Sequence, residues 1–292
     1  MKVTVLGIGI MGAGMAERLL DQGFAVDVWD RTPAVAGRLA ERGATAHADA
    51  PRAVRDADVV ITMLATPDAV TDAMLRGGGL EAMRPNAIWA QMATIGVEAT
   101  ETLIAEVTRR PGVSFVDAPV SGTRDPARNG ELTILASGPD AARALLEPVF
   151  AALGRRVLWL GQAGQGTRTK LVLNTWLAFD VEAAAEVSAL AHRLGIPYSV
   201  LRDAAEGGPL TSGTALTKMA KMESSEYSPE FPLEWALKDL DLVLAATGTG
   251  TAPVAGAIAQ RWRGLVSQGL GRLDVSAVRS GLNGDRASAH GG

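Results

Sequence analysis

An α/β fold, with a doubly wound and mainly parallel sheet followed by an all-helical second domain, is the class this sequence predicts. Three observations predict it. Short β-branched runs alternate with helical patterns through the first half of the chain, and that alternation stops near Gly161. A stretch without proline or glycine then runs from Thr167 to Leu194 with apolar residues at helical spacing. Strands that alternate with helices of ten or more residues imply parallel pairing with both sheet faces covered.

Taken in order, strands are expected at Val3–Leu6, Ala25–Asp30, Val59–Leu64, Ala87–Met92, Ser114–Asp117, Leu132–Ala136 and Arg156–Leu160. Amphipathic stretches such as Met11–Gln22 and Glu98–Arg109 supply helices between them. The run over 167–194 reads as one helix ~42 Å long, stopped by Gly195. Shorter helices are expected over Tyr198–Ala205, Leu216–Met222, Pro232–Ala246 and Ala252–Gln268, and no strand after Leu160. The domains are therefore expected at 1–162 and 163–292, with the polar tail 283–292 disordered.

Composition removes several function classes. The chain has 292 residues, 47% hydrophobic and 21% charged, which suits two globular domains and not a disordered chain. It has no cysteine, so disulfides, thiolate catalysis and thiolate-bound metals are out. With three histidines, His47, His192 and His290, no metal site is expected. A net charge of −4 gives no reason to expect nucleic-acid or anionic-membrane partners. No apolar run approaches a signal sequence or a bilayer span, so a cytoplasmic protein is expected.

The glycine surplus, 33 residues, has a local focus. Gly7-Ile8-Gly9-Ile10-Met11-Gly12 is a G-x-G-x-x-G directly after the first strand and opening the first helix. The first glycine allows the tight turn, the second lets backbone approach a pyrophosphate, and the third packs helix on strand. Phosphate would meet the N–H groups and the positive dipole end of that helix. Asp30, closing the second strand, can accept hydrogen bonds from the adenosine ribose. This Rossmann-type reading implies NAD or NADP. Asp30 repels a 2′-phosphate and favours NAD, whereas Arg31 and Thr32 could clamp one; Arg31 could equally stack on adenine or face solvent.

Three further motifs follow: Asp117-Ala118-Pro119-Val120-Ser121-Gly122 running on to Asn129-Gly130-Glu131-Leu132; Gly164-Gln165-Gly166-Thr167-Arg168-Thr169-Lys170 with Asn174; and Lys238-Asp239-Leu240. With the glycine loop, and with Met15-Ala16 after it, these make the chain resemble the β-hydroxyacid dehydrogenases, the family that includes 3-hydroxyisobutyrate dehydrogenase. The resemblance implies that Ser121 and Gly122, with Thr123, hold a substrate carboxylate. It implies that Lys170 is the catalytic lysine and that Asn174 aligns the substrate. It implies that Lys238 lies near the nicotinamide, and that Met63, Leu64 and Thr94 line the nicotinamide ribose.

Residue chemistry agrees with these roles but does not require them. A hydroxyl and successive N–H groups after a strand make an anion nest, and also an ordinary proline-fixed turn. Residues at i and i+4 share a helix face, and a lysine desolvated in a cleft can give or take the proton that alcohol oxidation demands. Most lysines nonetheless face solvent, Glu234 and Lys238 could be a plain i, i+4 pair, and a buried methionine and a capping threonine would look like Met63 and Thr94.

The chain also departs from the family pattern. Thr123 replaces a second glycine, and Arg124-Asp125-Pro126-Ala127-Arg128 replaces a glycine–alanine stretch whose new charges could meet a substrate tail or water. Ala65 replaces a proline, Ala93-Thr94 follows Gln91 in place of an aspartate, and Trp176 sits just past Asn174. The expected function is interconversion of a small β-hydroxy acid and its semialdehyde by an NAD(P)-dependent oxidoreductase acting as a homodimer or homotetramer. Imine reduction on the same fold and a non-catalytic dinucleotide-binding interaction protein are the rivals.

Overall fold

β-Branched runs at Lys2–Leu6 (β1), Ala25–Trp29 (β2), Val59–Thr62 (β4), Ile88–Gln91 (β5) and Ser114–Asp117 (β6) pair side by side in the computed structural model. The structure describes residues 1–208, 211–248 and 250–282. With the two-residue strand Thr45–Ala46 (β3), they form a wholly parallel six-stranded sheet in the order β3-β2-β1-β4-β5-β6. The order reverses at β1, and helices Ile10–Asp21 and Val97–Thr108 are among the crossovers. Successive strand residues point to opposite faces. Val59, Ile61, Ile88 and Ala90 join one buried cluster, while Val60, Trp89 and Phe115 join another.

A second sheet was not anticipated. Val120–Ser121 (β7), Leu132–Ala136 (β8) and Gly154–Trp159 (β9) form it, with β7 antiparallel and β9 parallel to β8. The connection 122–131 is shorter than the dozen or so residues that a parallel crossover needs, so β8 runs back along β7. Between β8 and β9 the helix Arg143–Leu153 makes the crossover.

The long helix spans Gln165–Arg193, starting two residues before the expected Thr167. Gly166 therefore lies in its first turn. After it come Tyr198–Ala205, Gly213–Ser224, Leu233–Thr247 and Pro253–Ser267, and no strand follows β9 among the described residues. Residues 1–170 and the described residues from 171 onward pack as two units, divided within the long helix. The second has its own core, where Val181 and Ala185 of that helix meet Leu240 and Trp262. No described helix is long and apolar enough to cross a membrane. The expectation of disorder over 283–292 falls outside the described residues.

Candidate active site

The glycine loop joins β1 to the first helix, at the carboxyl end of the sheet where the strand order reverses, the usual ligand crevice of such sheets. Its three glycines differ in surroundings. Gly7 has φ +95°, and a Cβ there would lie 2.8 Å from the Met63 carbonyl. A Cβ on Gly12 would collide with the Gly7 carbonyl oxygen. In front of Gly9 no heavy atom lies within 4 Å. Two glycines thus close the turn while the third leaves its backbone open, and a dinucleotide pyrophosphate fits there. Ile10 and Met11 begin the helix behind Gly9, and Ile10 is exposed.

Asp30 ties this loop to the end of β2. One carboxylate oxygen accepts the Ile8 N–H at 2.8 Å, and the other accepts the Thr32 N–H at 2.9 Å. Arg31 and Thr32 are exposed beside it. Met63 and Leu64 follow β4 and pack directly on Gly7. Thr94 follows β5 behind a buried clasp, in which Gln91 accepts the Ala93 N–H at 3.1 Å and donates to the Ala93 carbonyl at 2.6 Å. An aspartate could accept there but could not donate.

Ser121 ends β7, paired with Thr133 of β8. Gly122 has φ +141°, and a Cβ on it would stand 2.7 Å from Leu132 Cδ2, so the loop requires glycine. Thr123 is extended and begins the short helix Arg124–Asn129 without capping it through its side chain. The substituted charges of that helix are already engaged: Arg128 pairs with Glu17 at 3.2 Å and Arg124 with Asp125 at 3.1 Å.

Lys170 and Asn174 lie one turn apart on the long helix. Asn174 is buried, and its Nδ2 donates to Asp239 Oδ2 at 2.5 Å. Lys238 Nζ lies 2.7 Å from Asp239 Oδ1. Asp239 therefore links Lys238 to Asn174. The acidic residue beside Lys238 was visible in the sequence, but its contact with Asn174 across 65 positions was not. Trp176 is 65% exposed on the same helix.

Asp117, at the end of β6, is also buried, with Thr167 and Ser137 donating to its carboxylate. Burial pushes its carboxyl above the ordinary range, against the lowering effect of hydrogen bonds from Thr167, Ser137 and the Gly164 backbone.

Comparison with known proteins agrees over both halves of the chain. Residues 2–161 match the family model for the NAD binding domain of 6-phosphogluconate dehydrogenase. Residues 164–280 match the one described as NAD-binding of NADP-dependent 3-hydroxyisobutyrate dehydrogenase. Glyoxylate/succinic semialdehyde reductase 1 of Arabidopsis thaliana is 36% identical over 95% of this chain and 97% of its own. The 3-sulfolactaldehyde reductase of Escherichia coli is 31% identical over 94% of each. The structure of Mycobacterium tuberculosis 3-hydroxyisobutyrate dehydrogenase with L-serine superposes with a TM-score of 0.87, at 29% identity over 96% of this chain and 98% of that one. With its open glycine loop, the tight turn at Gly122 and the helix bearing Lys170 and Asn174, the chain belongs to the β-hydroxyacid dehydrogenase family of NAD(P)-dependent, 3-hydroxyisobutyrate-dehydrogenase-like oxidoreductases.

Proposed function

We propose that this oxidoreductase interconverts a small β-hydroxy acid and its semialdehyde, with Lys170 carrying the proton. The observation that carries the reading is the pairing of Lys170 and Asn174 at i, i+4 on one helix, with the Asn174 amide held by Asp239. Residues 1–162 bind the dinucleotide and residues 163–292 complete the enzyme. The glycine loop, with Ile10 and Met11, would hold the pyrophosphate, and Asp30, Arg31 and Thr32 the adenosine ribose. Met63, Leu64, Thr94 and Lys238 would line the nicotinamide end. The dinucleotide supplies the hydride acceptor in one direction and the donor in the other.

Ser121, Gly122 and Thr123 grip the substrate carboxylate through a hydroxyl and backbone N–H groups. Asn174, its amide nitrogen committed to Asp239, presents the amide to the substrate in a fixed orientation. In oxidation Lys170 accepts the hydroxyl proton, and in reduction it returns one to the carbonyl oxygen. NAD is the preferred cofactor, because the charge of Asp30 stands where a 2′-phosphate would lie. The enzyme acts as a homodimer or homotetramer. The support is an apolar stripe on the long helix, with Val172 63%, Trp176 65% and Leu190 58% exposed.

A matrix of NADH and NADPH against glyoxylate and succinic, methylmalonic and tartronic semialdehydes tests the activity. Lys170→Ala is expected to leave cofactor binding nearly intact and to lower turnover by about 10² or more, the usual scale of general acid–base effects. Unchanged turnover would remove Lys170 from the mechanism. Dinucleotide binding with no semialdehyde turnover across the matrix would make the chain a binding protein.

A further inference from the structure

The steps above make no use of the buried carboxylate of Asp117. Its backbone pairs with Ser137 in both directions, at 2.9 and 2.7 Å, where the end of β6 meets the residue after β8. The two side chains converge on the first turn of the long helix. Thr167 donates its N–H to Asp117 Oδ2 and its hydroxyl to Oδ1, each at 2.7 Å. Gly166 donates its N–H to Ser137 Oγ at 2.9 Å, and that hydroxyl lies 3.1 Å from the Asp117 carbonyl oxygen and 3.2 Å from Oδ2. The first N–H groups of a helix lack acceptors within it, and a side chain just ahead in sequence normally supplies one. Here both acceptors come from a distance, 29 and 50 positions away.

Close packing reinforces the joint. A Cβ on Gly166 would run into the Leu135 carbonyl oxygen and stand 2.9 Å from that of Asp117. Thr100 Oγ1, on the helix Val97–Thr108, is 3.3 Å from Thr167 Oγ1. Lys170 is one turn beyond Thr167 on the same helix. Ser121 is four residues beyond Asp117, in the strand that β8 holds. One carboxylate therefore braces the backbone on which Lys170 stands and lies in the segment that carries the anion loop.

We propose that Asp117, with Ser137 and Thr167, is a positioning joint that sets the reach of Lys170 to a substrate gripped at Ser121. This rests on the reading of Lys170 as the proton carrier. Proton transfer needs heavy atoms ~2.6–3.2 Å apart, and a misplacement of ~1 Å can cost ~10²-fold in rate. Asparagine would put an amide N–H where the carboxylate now accepts, so it cannot satisfy both Thr167 donors and Ser137 together.

The test is a set of double-mutant cycles on folded protein, with cofactor affinity followed by fluorescence titration. Thr167→Val removes the hydroxyl and keeps the helix N–H; Asp117→Asn removes the charge; Thr167→Ser restores the hydroxyl. In the wild-type background, Thr167→Val and Asp117→Asn are expected to lower kcat about tenfold to a hundredfold, with cofactor Kd changed less than about twofold. Thr167→Ser is expected to recover most of the loss. In the Lys170→Ala background the same substitutions should change the residual kcat by less than about twofold, since no lysine remains to be misplaced.

Equal losses in both backgrounds overturn the proposal and leave the joint a purely structural brace. Unchanged kcat in Thr167→Val, or a loss confined to cofactor KM, overturns it as well. If Asp117→Asn fails to fold, Thr167→Val and Ser137→Ala decide the question. A Lys170→Ala enzyme as active as wild type is visible before any of these and removes both the proton-carrier reading and this inference. An impaired Lys170→Ala with additive cycles removes only the inference.

Discussion

Asp30 has a structural duty, to which the proposed function adds a second. Its oxygens accept the Ile8 and Thr32 N–H groups, which fixes the glycine loop against the end of β2. Each carboxylate oxygen has a second lone pair for a ribose hydroxyl, and the charge remains to oppose a 2′-phosphate. Asp30→Asn keeps an amide oxygen as acceptor and removes that charge. It is expected to raise kcat/KM for NADPH relative to NADH by about tenfold, a modest value for two charges near a solvated surface. A ratio that stays put or falls would exclude Asp30 from cofactor selection. At this scale the glycines were legible because steric need is written into residue type: Gly7 and Gly12 abut backbone, and Gly9 faces open space. The Asn174–Asp239 contact was not, because nothing in either segment names a partner on another helix. The charges of Arg124 and Arg128 likewise had two readings until Asp125 and Glu17 were seen to take them.

Among elements, β-branched runs and apolar periodicity located the longer strands and the helices they named to within a few residues, since burial of a side-chain pattern is a local property, while helices such as Pro33–Ala40 and Arg143–Leu153 went unnamed. Two-residue strands escape that signal. β3 and β7 carry too few side chains to show a period, and β7 exists because β8 returns along it. The early start of the long helix escaped for a related reason: its first N–H groups are satisfied by remote Asp117 and Ser137. The helical half holds the ordinary local arrangement, a cap supplied by the residue just ahead of its turn. Asp274 caps the 3-10 turn Val275–Gly281 and takes Lys218 Nζ at 2.9 and 3.0 Å. Burial opposes its ionisation, yet the hydrogen bond and charge of Lys218, with Ser276, hold its carboxyl below the ordinary range. A depressed carboxylate stabilises the fold above the unfolded-state pKa, ~3.9, and loses that contribution as pH falls through the lower folded value. Lys218→Met is therefore expected to cost about 3 kcal/mol at pH 7 by urea unfolding, with the gap to wild type narrowing at pH 3 and below. A gap independent of pH would make lost packing, not charge, the cause.

For the whole molecule, the long helix sets the decisive question, because one chain covers only part of it. Its inner face is accounted for, with Ala178, Val181, Ala184 and Ala185 buried in the core of the second unit. Its outer face is not. Val172, Trp176, Val187 and Leu190 are all exposed, at intervals that keep them on one side of the helix, and exposed Leu194 follows its end. From Val172 to Leu190 the exposed apolar side chains line ~27 Å of helix, more than scattered surface residues would give, and they support the proposed homo-oligomer. A second copy is the economical occupant, because a twofold axis lets one self-complementary stripe cover itself. The substitutions that test it should stay clear of Asn174, so Val187→Lys and Leu190→Asp are chosen in place of Trp176. Light scattering is expected to show wild type at two or four times the 30.3 kDa chain mass, and the double variant at a smaller species. The loss of partner would leave the fold of each unit intact by circular dichroism, since neither residue belongs to a buried cluster. A wild-type monomer at micromolar concentration, or a variant that keeps the wild-type mass, would show that the stripe is not the subunit interface.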